Sequence, residues 1–79
     1  MHIHQNYYNE SSGILYIEFS TKEDSDKFYR VLELTYEDVQ YYSPDIITKE
    51  DLVDVDEFFT SSLIEEYLKD NDLPQELIL

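Results

Sequence analysis

The segment Ser20–Tyr42, STKEDSDKFYRVLELTYEDVQYY, decides how the chain folds, because it holds two runs in which helical and strand periodicity compete. Ser20 with Glu23, or Thr21 with Asp24, forms the pair three residues apart that opens helices, and either acid lies at the positive end of a helix dipole. Phe28, Val31, Leu32 and Thr35 then recur at helical spacing. These signals predict a helix over 21–34. It would hold three of the five basic residues, Lys22, Lys27 and Arg30, placed to pair with Glu23, Asp26 and Glu33. Over 35–42, Val39 and Tyr41 alternate against Asp38 and Gln40, and the tyrosine content favours a third strand over a helical continuation. Ser43-Pro44-Asp45 ends the element in either case, since proline disfavours helix in the residue before it and cannot donate to a ladder.

Toward the N-terminus, Ile3–Tyr8 and Ile14–Phe19 are two β-rich runs flanking Asn9-Glu10-Ser11-Ser12-Gly13. Leu15, Ile17 and Phe19 share one side of the second run. The pattern predicts an antiparallel hairpin whose loop of about five residues places Gly13, the only glycine, at a positive φ.

Toward the C-terminus, Asp45–Asp72 (DIITKEDLVDVDEFFTSSLIEEYLKDND) sets ten carboxylates against Lys49 and Lys69. Thr48 and Asp51 form another helix-opening pair. On a helical wheel Leu52, Val55, Phe59, Leu63 and Tyr67 make an apolar stripe, and Glu50, Asp54, Glu57, Ser61 and Glu65 lie opposite. Phe58, Ile64 and Leu68 fall off that stripe, and Thr60-Ser61-Ser62 are weak helix formers. Residues 49–70 therefore form one helix or break near 57–61 into two. Asn71 and Pro74 stop the segment, and the apolar tail Gln75–Leu79 either docks on the sheet or serves as a contact.

The expected architecture is α+β, one domain over 1–79. An N-terminal antiparallel hairpin and a third strand pack against two or three helices in the order ββαβα. A chain of 79 residues buries only about 60% of the surface its unfolded form exposes, and without cysteine no disulfide or thiolate zinc site supports the core. Stability is expected from aromatic packing, given eight Tyr and four Phe. The start MHIHQNYY has no signal-peptide pattern, and no apolar run approaches the ~20 residues of a membrane span, so a cytoplasmic protein is expected. Alanine is absent and Gly, Pro and Arg together number four, which suggests an AT-rich genome, such as that of a low-GC bacterium or its phage.

The formal net charge of −14 disfavours contact with nucleic acid or anionic lipid and points to a basic protein partner. On a continuous helix the five carboxylates of Glu50–Glu57 recur every ~2.4 Å of axis. That lies between the ~1.7 Å of duplex DNA counted over both strands and the ~3.4 Å of one strand. The candidate phosphate-mimicking residues are Glu50, Asp51, Asp54, Asp56, Glu57, Glu65, Glu66 and Asp70. Tyr41, Tyr42 and Phe58 are candidate aromatic anchors, and Tyr7, Tyr8 and Tyr36 also exceed what a core of this size needs. The run Leu52–Phe59 is similar to the sliding-clamp-binding peptide in Val55, Phe58 and Phe59, but has Leu52 where that peptide has Gln, and core packing accounts for the same residues.

His2 and His4 lie two apart without a third ligand, and Asp51–Glu57 lacks the oxygen spacing and glycine of a calcium loop, so neither metal nor cofactor is expected. No nucleophile set or phosphate loop suggests an enzyme. The sequence thus suggests an acidic DNA mimic, monomeric or homodimeric, that masks the nucleic-acid-binding surface of a basic protein, as phage anti-CRISPR and anti-restriction inhibitors do. An immunity protein or antitoxin against a basic toxin, or an acidic accessory subunit of a nucleic-acid enzyme, shares the same charge.

Overall fold

A computed structural model describes residues 1–46 and 48–78. Strands β1 (His2–Asn9), β2 (Ile14–Ser20) and β3 (Phe28–Thr35) form an antiparallel meander. Helix α1 (Tyr36–Tyr42), a 3-10 turn (Lys49–Leu52) and helix α2 (Glu57–Asp70) come next, and a short strand β4 (Glu76–Ile78) returns to pair with β3. The sheet order is β1-β2-β3-β4. The class is α+β as expected, but three strands precede the helices.

The hairpin forms where the sequence places it. The Asn9 side chain accepts from Ser11 N–H at 2.9 Å, Gly13 N–H reaches Asn9 O at 2.8 Å, and Gly13 takes φ 73°. The simple alternation of β1 is interrupted by an irregularity between Ile3 and Gln5. Beyond it Asn6 and Tyr8 share the face of Ile3, while Gln5, Tyr7 and Asn9 point the other way.

The helix expected over 21–34 does not exist. Thr21 and Asp24 do meet: Thr21 N–H and Oγ1 both donate to the Asp24 carboxylate, at 2.7 and 3.1 Å. They close a turn instead of opening a helix. Ser25 and Asp26 are poor helix formers, and Phe28-Tyr29-Arg30-Val31 is rich in strand formers. The operative period is two, with Arg30, Leu32 and Leu34 buried in succession. Arg30 hides this alternation in the sequence, because a cation at an inward position reads as a surface residue. It is tolerated inside because Asp24 meets it at 2.7 Å, with the two side chains 9% and 3% exposed.

The strand expected over 35–42 is instead α1. Thr35 caps it: its side chain accepts from Asp38 N–H at 3.2 Å, and Asp38 accepts from Thr35 N–H at 3.3 Å. Val39 is buried, and Tyr36 and Tyr42, three residues to either side, are half-buried against the core.

Segment 49–70 breaks at Val53–Asp56, a turn earlier than the weak helix formers suggest. The Thr48–Asp51 pair forms, but opens only the 3-10 turn. Valines and aspartates at 53–56 propagate helix poorly, and Asp56 serves as the N-cap of α2, accepting from Phe59 N–H at 2.7 Å. The buried face of α2 is Thr60, Leu63 and Ile64, so Ile64 belongs to the core despite lying off the expected stripe.

The core gathers Ile3, Leu15, Ile17, Phe19, Leu32, Leu34, Val39, Leu52, Leu63 and Ile64. Its fully buried members are aliphatic apart from Phe19, and the expected aromatic packing comes at the rim, where Tyr8, Tyr36, Tyr42, Phe59 and Tyr67 pack against it. Thr60 is fully buried, donates to Asp56 O at 2.9 Å and accepts from the Asn6 side chain, tying α2 to β1. Of the two roles read for the tail, docking on the sheet is the one that β4 takes, with Leu79 outside the described residues.

Candidate partner-binding surface

All eight nominated carboxylates are exposed. They do not form the single ladder expected of a continuous helix. Glu50 and Asp51 lie on the 3-10 turn, Asp54 and Asp56 on the connection, and Glu57, Glu65, Glu66 and Asp70 on α2. The regular ~2.4 Å charge interval therefore fails, since a uniform rise per residue holds only along one helix.

Part of this set has local work. Asp51 accepts from Thr48 N–H at 3.0 Å, and Asp56 caps α2. Glu57 stands in the first turn of α2, where the helix dipole favours an anion. Asp70 does the reverse, while Glu65 and Glu66 stand a turn before it. Asp70 closes the last turn of α2, where the dipole is negative and Lys69 is the only base. Lys69 reaches Glu66 at 3.4 Å, but both side chains are mostly exposed, so the pair contributes little. Like charges at Glu66 and Asp70, four apart, repel.

The nominated aromatics separate. Phe58 is 81% exposed and Tyr41 74%, whereas Tyr42 accepts from the Asn71 side chain at 2.9 Å and meets the Tyr67 ring edge-on at 5.9 Å. Leu52 is fully buried and Phe59 packs on the core, so the clamp-peptide resemblance is divided between core and surface.

A second surface was missed by sequence reasoning. The helices cover the sheet face that carries Leu15, Ile17 and Phe19, and the opposite face holds Tyr7, Tyr16, Tyr29, Val31, Glu18 and Glu33. In register, Tyr7 opposes Tyr16 and Tyr16 opposes Glu33, making a row across three strands. The Tyr7 and Tyr16 rings lie 5.1 Å apart at 32°. Tyr16 donates to Glu18 at 2.6 Å, and that bond, with burial and the nearby Glu18 charge, pushes its hydroxyl up to about 12. His4 stands 4.6 Å from the His2 ring and 5.6 Å from Tyr29. The signal for this face was the complement of Leu15-Ile17-Phe19, namely Ile14-Tyr16-Glu18, too apolar for a plain solvent face.

Among the described residues, no group of three metal-ligating side chains is gathered, and no helix is long and apolar enough to cross a membrane. A shallow cleft of ≈ 220 Å3 lies between Tyr8, Glu10, Lys49, Glu50 and Val53. Another, of ≈ 230 Å3, is bounded by Tyr7, Asn9, Ser12, Ile14, Tyr16 and Glu33 on the uncovered face. Comparison with known protein families, with curated proteins and with solved structures returns no match to this chain.

Proposed function

We propose that this protein is a non-enzymatic acidic decoy, a DNA mimic that occupies the basic nucleic-acid-binding surface of another protein, in the manner of phage or mobile-element inhibitors. The observation that carries the reading is the exposure of Glu65, Glu66 and Asp70 in the C-terminal half of α2, where Glu66 and Asp70 repel each other one turn apart and Asp70 stands at the negative end of the helix dipole. Acids retained against the local electrostatics imply a gain elsewhere, and a basic groove would provide it through counterion release and steering. Nineteen acids against five bases leave at least fourteen carboxylates uncompensated even if every base pairs once. The contact is by charge density over a bent acidic surface, without the regular pitch of a duplex.

The test is capture of a purified basic DNA-binding protein on this protein at low salt, followed by challenge with duplex DNA. Release by DNA, steep loss with salt, and loss of capture on reversing Glu65, Glu66 and Asp70 to Lys are expected. A partner that stays bound while it holds DNA would overturn the decoy reading in favour of an immunity-type inhibitor acting beside the nucleic-acid site. Undiminished capture by the reversed variant would overturn it in favour of acidity that serves solubility alone.

A further inference from the structure

We propose that the uncovered sheet face is a second contact surface, one that receives an arginine side chain from a basic segment of a partner protein. The seat is the cleft of ≈ 230 Å3 bounded by Tyr7, Asn9, Ser12, Ile14, Tyr16 and Glu33. Its chemistry is that of a guanidinium site: two tyrosine rings 5.1 Å apart offer π faces, and the exposed Glu33 carboxylate stands in register beside Tyr16.

The Tyr16 hydroxyl is engaged by Glu18 at 2.6 Å, which holds its ring in place and keeps a second negative charge close by. Tyr7 is 45% exposed, so its ring is accessible. Ile14 supplies apolar contact for the methylene stem of the incoming side chain.

Other occupants meet opposing chemistry. Nucleic acid bases stack on aromatic sheet faces, but Glu18, Glu33 and a net charge of −14 repel the phosphates that accompany them. A second copy of this chain would bring the same carboxylates against their own kind. Arginine is favoured over lysine because a planar, weakly hydrated guanidinium both stacks on a ring and forks onto a carboxylate, which a compact ammonium cannot. This surface shares no residue with the acidic set on the 3-10 turn and α2, and the inference does not require the decoy reading.

The experiment titrates the labelled protein with oligo-arginine and with oligo-lysine of equal length at low salt, tracking backbone and tyrosine-ring resonances. Oligo-arginine is expected to shift Tyr7, Asn9, Ile14, Tyr16 and Glu33, and oligo-lysine to shift them several-fold less at equal concentration. Glu33→Gln, a change at an exposed position, is expected to weaken the arginine-dependent shifts about 10-fold. Tyr7→Ser should weaken them independently, so the result does not hang on one variant. Equal shifts from both peptides would overturn the inference, as would Glu33→Gln behaving like the parent. Shifts confined to residues 49–70 would also overturn it, while leaving the decoy reading intact.

Discussion

At the scale of single residues, Asp24 and Arg30 bear the most consequence. Burial pushes the Asp24 carboxyl up, but the Thr21 N–H, the Arg30 guanidinium and the Thr21 hydroxyl together outweigh it and hold the group below its ordinary value of 3.8. A depressed carboxylate stabilises the fold above its unfolded pKa and loses that contribution as pH falls through the folded one. Its share of stability is therefore complete at neutral pH and declines only below about pH 4. Asp24→Asn is expected to cost about 3 kcal/mol in urea unfolding at pH 7, since it removes the carboxylate that the buried Arg30 guanidinium meets at 2.7 Å. Combining Asp24→Leu with Arg30→Met should recover much of that loss, because a well-packed apolar pair avoids desolvation altogether. At Tyr16, ionisation is expected only near pH 12, and Glu18→Gln should bring it down, as read from the ring resonances during alkaline titration.

The elements show how far local signals carried. Pairs of Thr and Asp three apart occur at Thr21–Asp24, Thr35–Asp38 and Thr48–Asp51, and in all three the Thr N–H bonds the acid. One closes a loop, one opens α1, and one starts a single 3-10 turn. The first and third pairs were read in the sequence and the second was passed over for a strand, and in no case was the outcome legible, since the residues downstream decide it: strand formers after Asp24, and Val39 with Tyr42 at helical spacing after Asp38. The hairpin was legible because its turn residues agree with the strict alternation of Ile14–Phe19, although that of β1 is broken between Ile3 and Gln5. Strand β3 was not, because its alternation includes a charged residue whose partner lies in the preceding loop. The acidic residues of the candidate site were legible as exposed groups, whereas their division among the 3-10 turn, the connection and α2 was not, because Asp56 can be read as part of a helix or as the cap of a new one.

Two changes test this scale. Thr35→Ala is expected to destabilise the protein by about 1 kcal/mol through loss of the α1 cap, measured by chemical unfolding. Thr60→Val keeps the shape but removes the acceptor for Asn6, and is expected to cost about 1–2 kcal/mol by the same measure.

For the whole molecule, charge is the dominant variable. With a net charge of −14 on a small surface, repulsion among carboxylates opposes compaction, and added salt screens it over ~10 Å at 0.1 M. The melting temperature is expected to rise as NaCl is raised from low to moderate concentration. Reversal of Asp70 to Lys should raise it too, even as it weakens capture of a basic partner. A variant that becomes more stable and less able to bind would show that the acids are kept at the expense of the fold.

The link between Asn6 and Thr60 joins residues 54 positions apart. Loop closure on that scale carries an entropic cost that neither the hairpin nor α2 meets alone. Each can form early and transiently, but neither is secured until the distant parts of the chain meet. Backbone amides at the centre of β2 and in the middle of α2 are thus expected to show one common opening free energy in deuterium exchange, and Thr60→Val to split it in two.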